Sequence, residues 1–455
     1  MKKKILILLS SIALLSSCGD MLDVKPFNTI DAASATGTSK DIEALLVGAY
    51  SFLGDADVLG GDMQRDAELL GDNVDNPEMF WDGTFVDPGE IYTKNILITN
   101  AQVEETYLDC YRVINICNTV LANLSVVTAD KAARVEGGAK FIRGLLYFEL
   151  ARVFGRTWTD TNGTPASNLA VPLILTPGNT EKVNRSSVAD VYAQAIADLT
   201  AAETLLPANN GFFATTYSAS AILSRVYMMQ NNYTAASAAA NRVITSNQYA
   251  LLPNYADNFN NSSNGSSNAT VEDVFAIQVT NQAGVNDMNT FFATSDFGGR
   301  GDIYVEPAHF ALYTAGDERL DLFYDNERTG KWNNQFGNLN IVRLAEMYLT
   351  RGEANFRLTG NATNNIDPLI TNEPIDDINR IRVRAGLTPL VLVGLADFLS
   401  ERHLELAFEG HLIHDLKRTH TNLGAAMPWN ANELVFPIPN REIIINPDMD
   451  QNPGY

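Results

Sequence analysis

Apolar residues recur along much of this chain with the period of a helix. Val188, Val191, Tyr192, Ala195, Ile196 and Leu199 fall at i, i+3, i+4, i+7, i+8 and i+11, with Ser187-x-x-Asp190 in capping-box order ahead of them and Pro207 beyond the last turn. The same signature predicts helices over 40–54, 89–125, 130–154, 216–230, 233–246, 341–358, 374–385 and 395–408. Pro374 opens one of these and Gly386 follows its last turn. Short turns join 187–205, 216–230 and 233–246, which predicts stacked antiparallel pairs. Tetratricopeptide pairs repeat about every 34 residues; here the spacing is uneven and no repeat consensus is legible. The expected fold is mainly α, a scaffold of tetratricopeptide-like helical pairs.

Between the helices lie long stretches without periodicity, chiefly 55–88, 155–186, 247–340 and 419–455. Asn258 to Thr270 is almost wholly Asn, Ser and Gly, which buries too little apolar surface to order itself and reads as a mobile loop. Long irregular loops in a folded body are uncommon and often functional. Trp81, Trp158 and Trp332 fall in such stretches, and Trp429 stands between Pro428 and Asn430.

The N-terminus has its own logic. Lys2, Lys3 and Lys4 precede an apolar run from Ile5 to Leu15, too short for the roughly 20 residues that span a bilayer, and Leu15-Ser16-Ser17-Cys18 closes it. The run resembles the signal and lipobox of bacterial lipoproteins, in which the cysteine is acylated and becomes the first mature residue. That reading makes 1–17 a signal peptide, Cys18 the lipidation site, 18–39 a tether rich in Ser, Thr, Ala, Gly and Asp, and 40–455 a single folded body. Acyl chains contribute about 0.8 kcal/mol per buried methylene, so a lipid anchor holds the protein at a membrane with no helix inserted.

Charge narrows the partners. The chain carries a formal −22, which becomes −25 once Lys2, Lys3 and Lys4 leave with the signal, and this argues against nucleic acid as a partner and against a basic lipid-binding face. Neutral ligands are favoured over polyanions. Cys110 and Cys117 are seven apart in a helical segment, hence about 10 Å between Cα atoms, too far for a disulfide. Both are expected to be buried free thiols. Five histidines without a zinc motif argue against a structural zinc site.

Taken in order, several segments resemble the SusD/RagB family of Bacteroidetes outer-membrane nutrient-binding lipoproteins. They are Cys18-Gly-Asp-Met-Leu-Asp23 with Pro26, Arg143-Gly-Leu-Leu-Tyr-Phe-Glu-Leu150 with Phe154-Gly155, and Val171-Pro-Leu-Ile174. Ala219 to Tyr227, and Val243-Ile244 with Tyr249, follow. Most specific are Val342-Arg-Leu-Ala-Glu-Met-Tyr-Leu349 with Gly352-Glu-Ala354, Ile378 to Gly386, Glu401-Arg402, Glu409-Gly-His-Leu-Ile-His-Asp-Leu416, and the ending Gln451-Asn-Pro-Gly-Tyr455. The resemblance covers essentially the whole mature chain. His403 and Leu412 stand where family members usually carry Arg, so the ion pairs expected near Glu409 and Asp415 are in question.

The resemblance implies a helical scaffold interrupted by a large irregular ligand-binding insertion, with scaffold at about 40–54, 89–154, 187–246 and 341–418 and ligand loops at about 55–88 and 247–340. It also implies a surface-exposed, lipid-anchored outer-membrane protein that catches oligosaccharide and passes it to a SusC-like TonB-dependent transporter. Some members take peptide instead, and a purely structural lid subunit is a further alternative.

Sugar sites need flat aromatic faces flanked by hydrogen-bonding groups. Phe80-Trp81-Asp82 and Lys331-Trp332-Asn333-Asn334 have that composition, and the family's site, carried over by approximate position, falls near both. Trp81 and Trp332 are the expected stacking platforms, Phe80 a support, and Arg65, Asp296, Arg300 and Tyr304 polar neighbours; Trp158 and Trp429 are expected to pack.

Glu401, Glu405 and Glu409 at i, i+4 and i+8 are the best argument for a surface glycoside hydrolase, but such acids more often pair with arginines, and no catalytic residue is assigned. His411 and His414 at i, i+3 resemble a metal pair without a third ligand, so structural roles are favoured. Arg380, Arg382 and Arg384 are expected to serve a helix end and local acids. No cofactor is expected; Asp55, Asp57 and Asp62 permit a structural calcium but lack EF-hand spacing.

Overall fold

The structure is a computed structural model that describes residues 36–261, 270–282, 284–365, 367 and 370–455. The signal, Cys18, most of the tether and the core of the Asn/Ser/Gly run lie outside these residues.

Helices α1 (Ser39–Leu53), α2 (Asp62–Gly71), α3 (Val86–Tyr92), α4 (Ala101–Ala122), α5 (Ala129–Phe154), α6 (Val188–Leu205), α7 (Thr216–Met229) and α8 (Tyr233–Thr245) come first. Short helices α9 (Asp287–Phe292) and α10 (Pro307–Phe310) precede α11 (Leu344–Thr359), α12 (Pro374–Arg384), α13 (Leu395–Glu405), α14 (Leu412–Thr419) and α15 (Asn440–Ile445). From α4 to α8 each helix packs on the next, and α8 then packs on α11 and α11 on α12 and α13. Because α8 and α11 are spatial neighbours, the segment between them is an insertion into a helical stack. The fold is therefore mainly α, as the periodicity predicts.

Local chemistry explains the helix starts. Thr38 caps α1 in a capping box with Asp41, and Ser187 accepts the Asp190 N–H at 3.1 Å at the head of α6. Packing then relies on close approach: a Cβ on Gly144 of α5 would stand 3.0 Å from Leu199 and 3.1 Å from the Ala195 carbonyl of α6. Buried bidentate pairs bolt neighbours together. Arg143 of α5 holds Asp198 of α6 at 2.8 Å through two nitrogens and also reaches Asn118 of α4 at 2.8 Å. Arg225 joins α7 to Glu346 of α11, Arg351 joins α11 to Asp377 of α12, and Arg418 of α14 grips Glu353 of α11. Cys110 and Cys117 are buried and free.

The structure departs from the expected elements where tertiary contacts outweigh periodicity. The stretch 89–125 divides into α3 and α4, broken around Lys94 at φ 57°, with Asn100 capping α4. Ile341 to Arg343, expected as the start of a helix, instead belong to the strand Leu339–Arg343, paired antiparallel with Asp273–Ile277. The β-branched pair Ile341-Val342 suits that ladder. Helix α13 stops at Glu405 because Phe408 takes a left-handed φ of 61°.

Helix α2 lies in a stretch expected to be irregular, and all ten of its residues are buried. Its polar sequence hides it. Arg65 binds Asp62 at 2.5 Å and Asp66 at 2.6 Å, while Glu68 accepts the Gly410 and His411 N–H groups at 2.7 and 2.8 Å. The charges are answered inside the protein rather than by water.

Among the described residues the strands, numbered β1 (Met79–Trp81), β2 (Asp273–Ile277), β3 (Ile303–Val305), β4 (Phe323–Tyr324), β5 (Arg328–Thr329) and β6 (Leu339–Arg343), make three two-stranded antiparallel ladders: β1–β3, β2–β6 and β4–β5. The β1–β3 ladder joins the loop at 55–88 to the insertion.

Candidate functional site

The β1–β3 ladder sets Phe80 opposite Tyr304 and Trp81 opposite Ile303. Alternation along the strand turns Met79 and Trp81 inward and Phe80 outward. Phe80 is 45% exposed and its ring centroid lies 6.4 Å from that of half-buried Tyr304. The buried Arg328 guanidinium sits 3.5 Å over the Tyr304 ring and donates to the Gly301 and Ile303 carbonyls at 2.8 Å, fixing that ring from behind.

Phe85, 49% exposed, carries the Arg300 guanidinium 4.4 Å over its ring. Arg300 is held by Asp302 at 2.8 Å and the Thr84 hydroxyl at 3.1 Å. Exposed Phe297 meets Tyr324 edge to face at 5.6 Å on the neighbouring turn, beside exposed Asp296. Phe85 packs on Phe291, which meets Trp81 on one side of the ladder, while Phe80 with Tyr304 makes a shallow aromatic surface on the other face. Such a surface can stack the C–H face of a sugar and hydrogen-bond its hydroxyls.

Two expected platforms are corrected. Trp332 is only 3% exposed; its indole N–H donates to the Phe408 carbonyl at 3.1 Å and Phe259 meets its ring edge to face. The turn that carries it is folded into the core, where neighbouring Lys331 donates to Glu409 at 2.7 Å and to the Ala407 carbonyl at 2.6 Å. Trp81 is also buried, against Phe291 at 5.8 Å, and a Cβ on Gly83 would stand 2.2 Å from its ring. It props the strand that presents Phe80 rather than offering a face of its own. Arg65 is fully buried with its guanidinium 4.2 Å from Phe291, beneath the site and out of reach of a ligand.

Phe80 and Tyr304 do come together, Arg300 lies over Phe85 instead, and Asp296 stands exposed beside Phe297. Sequence reasoning passed over Phe85 and Phe297. The signal for Phe85 was its place five residues after Phe80, in a run of Asp, Gly and Thr beside exposed Val86. Trp158 packs against Tyr192, and Trp429 stacks on exposed His420 at 3.9 Å.

The candidate acids and histidines find core partners. Glu401 pairs with Arg319 and Arg382, Glu405 with Arg343 and Arg384, and Glu409 with Lys331 and Arg343. Burial alone would raise the Glu409 carboxyl, yet Arg343 and Lys331 hold it at about 2. Asp415 is taken by Arg402 and Arg418, so the pairs placed in question by His403 and Leu412 are made by other residues. His411 and His414 are buried, and burial pushes His411 down to about 3, which makes both neutral core groups.

Two clusters among the described residues converge closely enough to share an ion: Asp55, Asp57 and Asp109, and Glu78, His309 and His403. Asp109, rather than Asp62, completes the first, because Asp62 is turned to Arg65 and Gln102.

Comparisons with known proteins agree with this architecture. A family model described as SusD-like, starch-binding associating with outer membrane, matches residues 20–228, and one described as the SusD family matches residues 313–433. SusD-like protein P38 of Formosa agariphila is 23% identical over 99% of this chain and 98% of its own. A SusD superfamily protein from Bacteroides vulgatus superposes with a TM-score of 0.79 at 24% identity, covering 92% of this chain and 99% of that one. A laminarin-binding SusD-like protein superposes with a TM-score of 0.71 at 22% identity, covering 92% and 100%.

Proposed function

The chain belongs to the SusD/RagB family, and from that premise we propose that it is a surface-exposed, lipid-anchored glycan-binding protein that captures oligosaccharide and delivers it to a SusC-like TonB-dependent transporter. The observation that carries the binding step is the outward Phe80–Tyr304 pair. Its family is described as starch-binding and associated with the outer membrane, and one solved neighbour binds laminarin. Both support a carbohydrate ligand.

A shallow site of this kind binds one sugar segment weakly, and a polymer that engages several copies gains avidity without new contacts. Weak capture suits a protein that must let go. Binding without hydrolysis is supported by the burial and ion pairing of Glu401, Glu405 and Glu409. The lipobox-like run ending at Cys18 supports the lipid anchor.

The test is electrophoresis of the lipid-free protein, from Gly19 onward, through native gels containing starch, laminarin or other single polysaccharides. Retardation by one polymer, lost in Phe80→Ala and Tyr304→Ala variants that still fold, is the expected result. Retardation unchanged in both variants would place the site elsewhere, and release of reducing sugar by the purified protein would replace binding with hydrolysis.

A further inference from the structure

At the end of the β1–β3 ladder, three side chains from three separate elements meet around one point. Glu78 immediately precedes β1, His309 lies on α10 just after β3, and His403 projects from α13 of the helical scaffold. The β1–β3 ladder continues one step past its named residues, with the Glu306 N–H donating to the Glu78 carbonyl at 2.9 Å, and so fixes the first two side by side. Both imidazoles address the same carboxylate oxygen: His309 Nδ1 lies 2.7 Å and His403 Nε2 2.8 Å from Glu78 Oε2. All three candidate donor atoms fall within 4.8 Å of one another.

We propose that Glu78, His309 and His403 form a binding site for a late first-row divalent cation, zinc foremost, with a fourth position open to water. Two imidazole nitrogens and one carboxylate oxygen suit zinc, nickel or cobalt and disfavour calcium and magnesium, which take oxygen ligands. Three protein ligands leave a tetrahedral ion one vacancy, and Glu78 and His403 are partly exposed at 20% and 28% of their side chains, so the vacancy faces solvent.

Three details favour an ion over a simple hydrogen-bonded triad. Two imidazoles on one carboxylate oxygen leave its other oxygen free to take up coordination. His309 is held rigidly, 1% exposed, among Phe408, Tyr313 and Phe323, whose ring centroids lie 4.7, 5.3 and 5.8 Å away. Its other nitrogen, Nε2, faces the Tyr313 hydroxyl at 3.1 Å. In the ion-free arrangement the short Glu78 contact puts the ring proton on Nδ1, and the Tyr313 hydroxyl donates to Nε2. With an ion on Nδ1 the ring proton moves to Nε2 and the Tyr313 oxygen accepts it, the outer hydrogen bond that orients a metal-bound histidine. Ligands about 2.0 to 2.1 Å from zinc stand roughly 3.3 Å apart, so the two imidazoles and the carboxylate need to separate by about 0.5 Å, within reach of a rotation of the partly exposed Glu78 side chain. The ion would tie α13 to the strand pair that presents Phe80 and Tyr304, bracing the glycan-facing ladder against the helical stack.

The experiment strips the purified protein with chelator and titrates it with zinc chloride by calorimetry, and with cobalt chloride by visible absorption. The expected result is one ion per chain, the intense d–d bands of tetrahedral cobalt, and a higher melting temperature with zinc present. His403→Ala and Glu78→Gln should each weaken binding by about 100-fold or more, Tyr313→Phe by about 10-fold, and remote His420→Ala not at all. His309 is avoided because its burial makes its replacement a folding defect. No saturable binding, or one-to-one binding that survives in a folded His403→Ala or Glu78→Gln protein, would overturn the proposal.

Discussion

Phe80 and Trp332 are both large aromatic residues in irregular segments, and exposure alone separates their roles: 45% for one, 3% for the other. Alanine at Phe80 should leave the melting temperature nearly unchanged while abolishing retardation by glycan. Alanine at Trp332 should instead cost about 3 to 5 kcal/mol of stability in denaturant titrations, because it opens a cavity and strands the Phe408 carbonyl. Glu68 gives a prediction of a different kind. Burial raises its pKa from 4.5 to about 7 against the pull of the His411 and Leu412 N–H groups. A carboxyl raised in this way keeps its proton in the fold, so its contribution to stability is full below pH 4.5 and is lost as pH rises through about 7. Glu68→Gln should therefore flatten the fall in melting temperature between about pH 5 and about pH 8. The tryptophans were legible in the sequence as candidates, but not their orientation, which depends on Phe259, Phe291 and Gly83 brought from elsewhere in the fold.

At the scale of elements, the site is a product of one short ladder. β1 carries only three residues, and its register against β3 decides that Phe80 faces out and Trp81 in; a slip by one residue would exchange them. Gly83 protects that arrangement. Gly83→Ala should push the Trp81 ring from its place, at a cost of about 1 to 3 kcal/mol, read as a shifted tryptophan emission together with weakened glycan retardation. Helices with a clear apolar stripe, such as α6, were legible because their burial follows from residues three and four apart. Helix α2 was not, because Asp62, Arg65, Asp66 and Glu68 read as solvent-facing until the fold supplies their partners. The strand at 339–343 was hidden for the related reason that its ladder partner lies about 65 residues earlier.

Across the whole molecule, a chain of net charge −22 keeps much of its cationic charge inside, where arginines clamp carboxylates between neighbouring elements. Arg343 is the junction of insertion and scaffold: from β6 it reaches Glu272 before β2, Glu405 at the end of α13 and Glu409 beyond it. Arg343→Met leaves these buried acids short of positive charge and should cost about 3 to 5 kcal/mol. It should also separate the unfolding transitions seen by tryptophan fluorescence and far-UV circular dichroism, which coincide when the halves melt together. The sequence by itself determined most of the helices and the Ser187 cap, since each rests on neighbouring residues. Only the tertiary structure decided that Phe80 and Phe85 face solvent while Trp81, Trp332 and Arg65 do not, and that Glu78, His309 and His403 meet. Exposure and convergence are set by contacts between residues far apart in the chain, and no local periodicity encodes them.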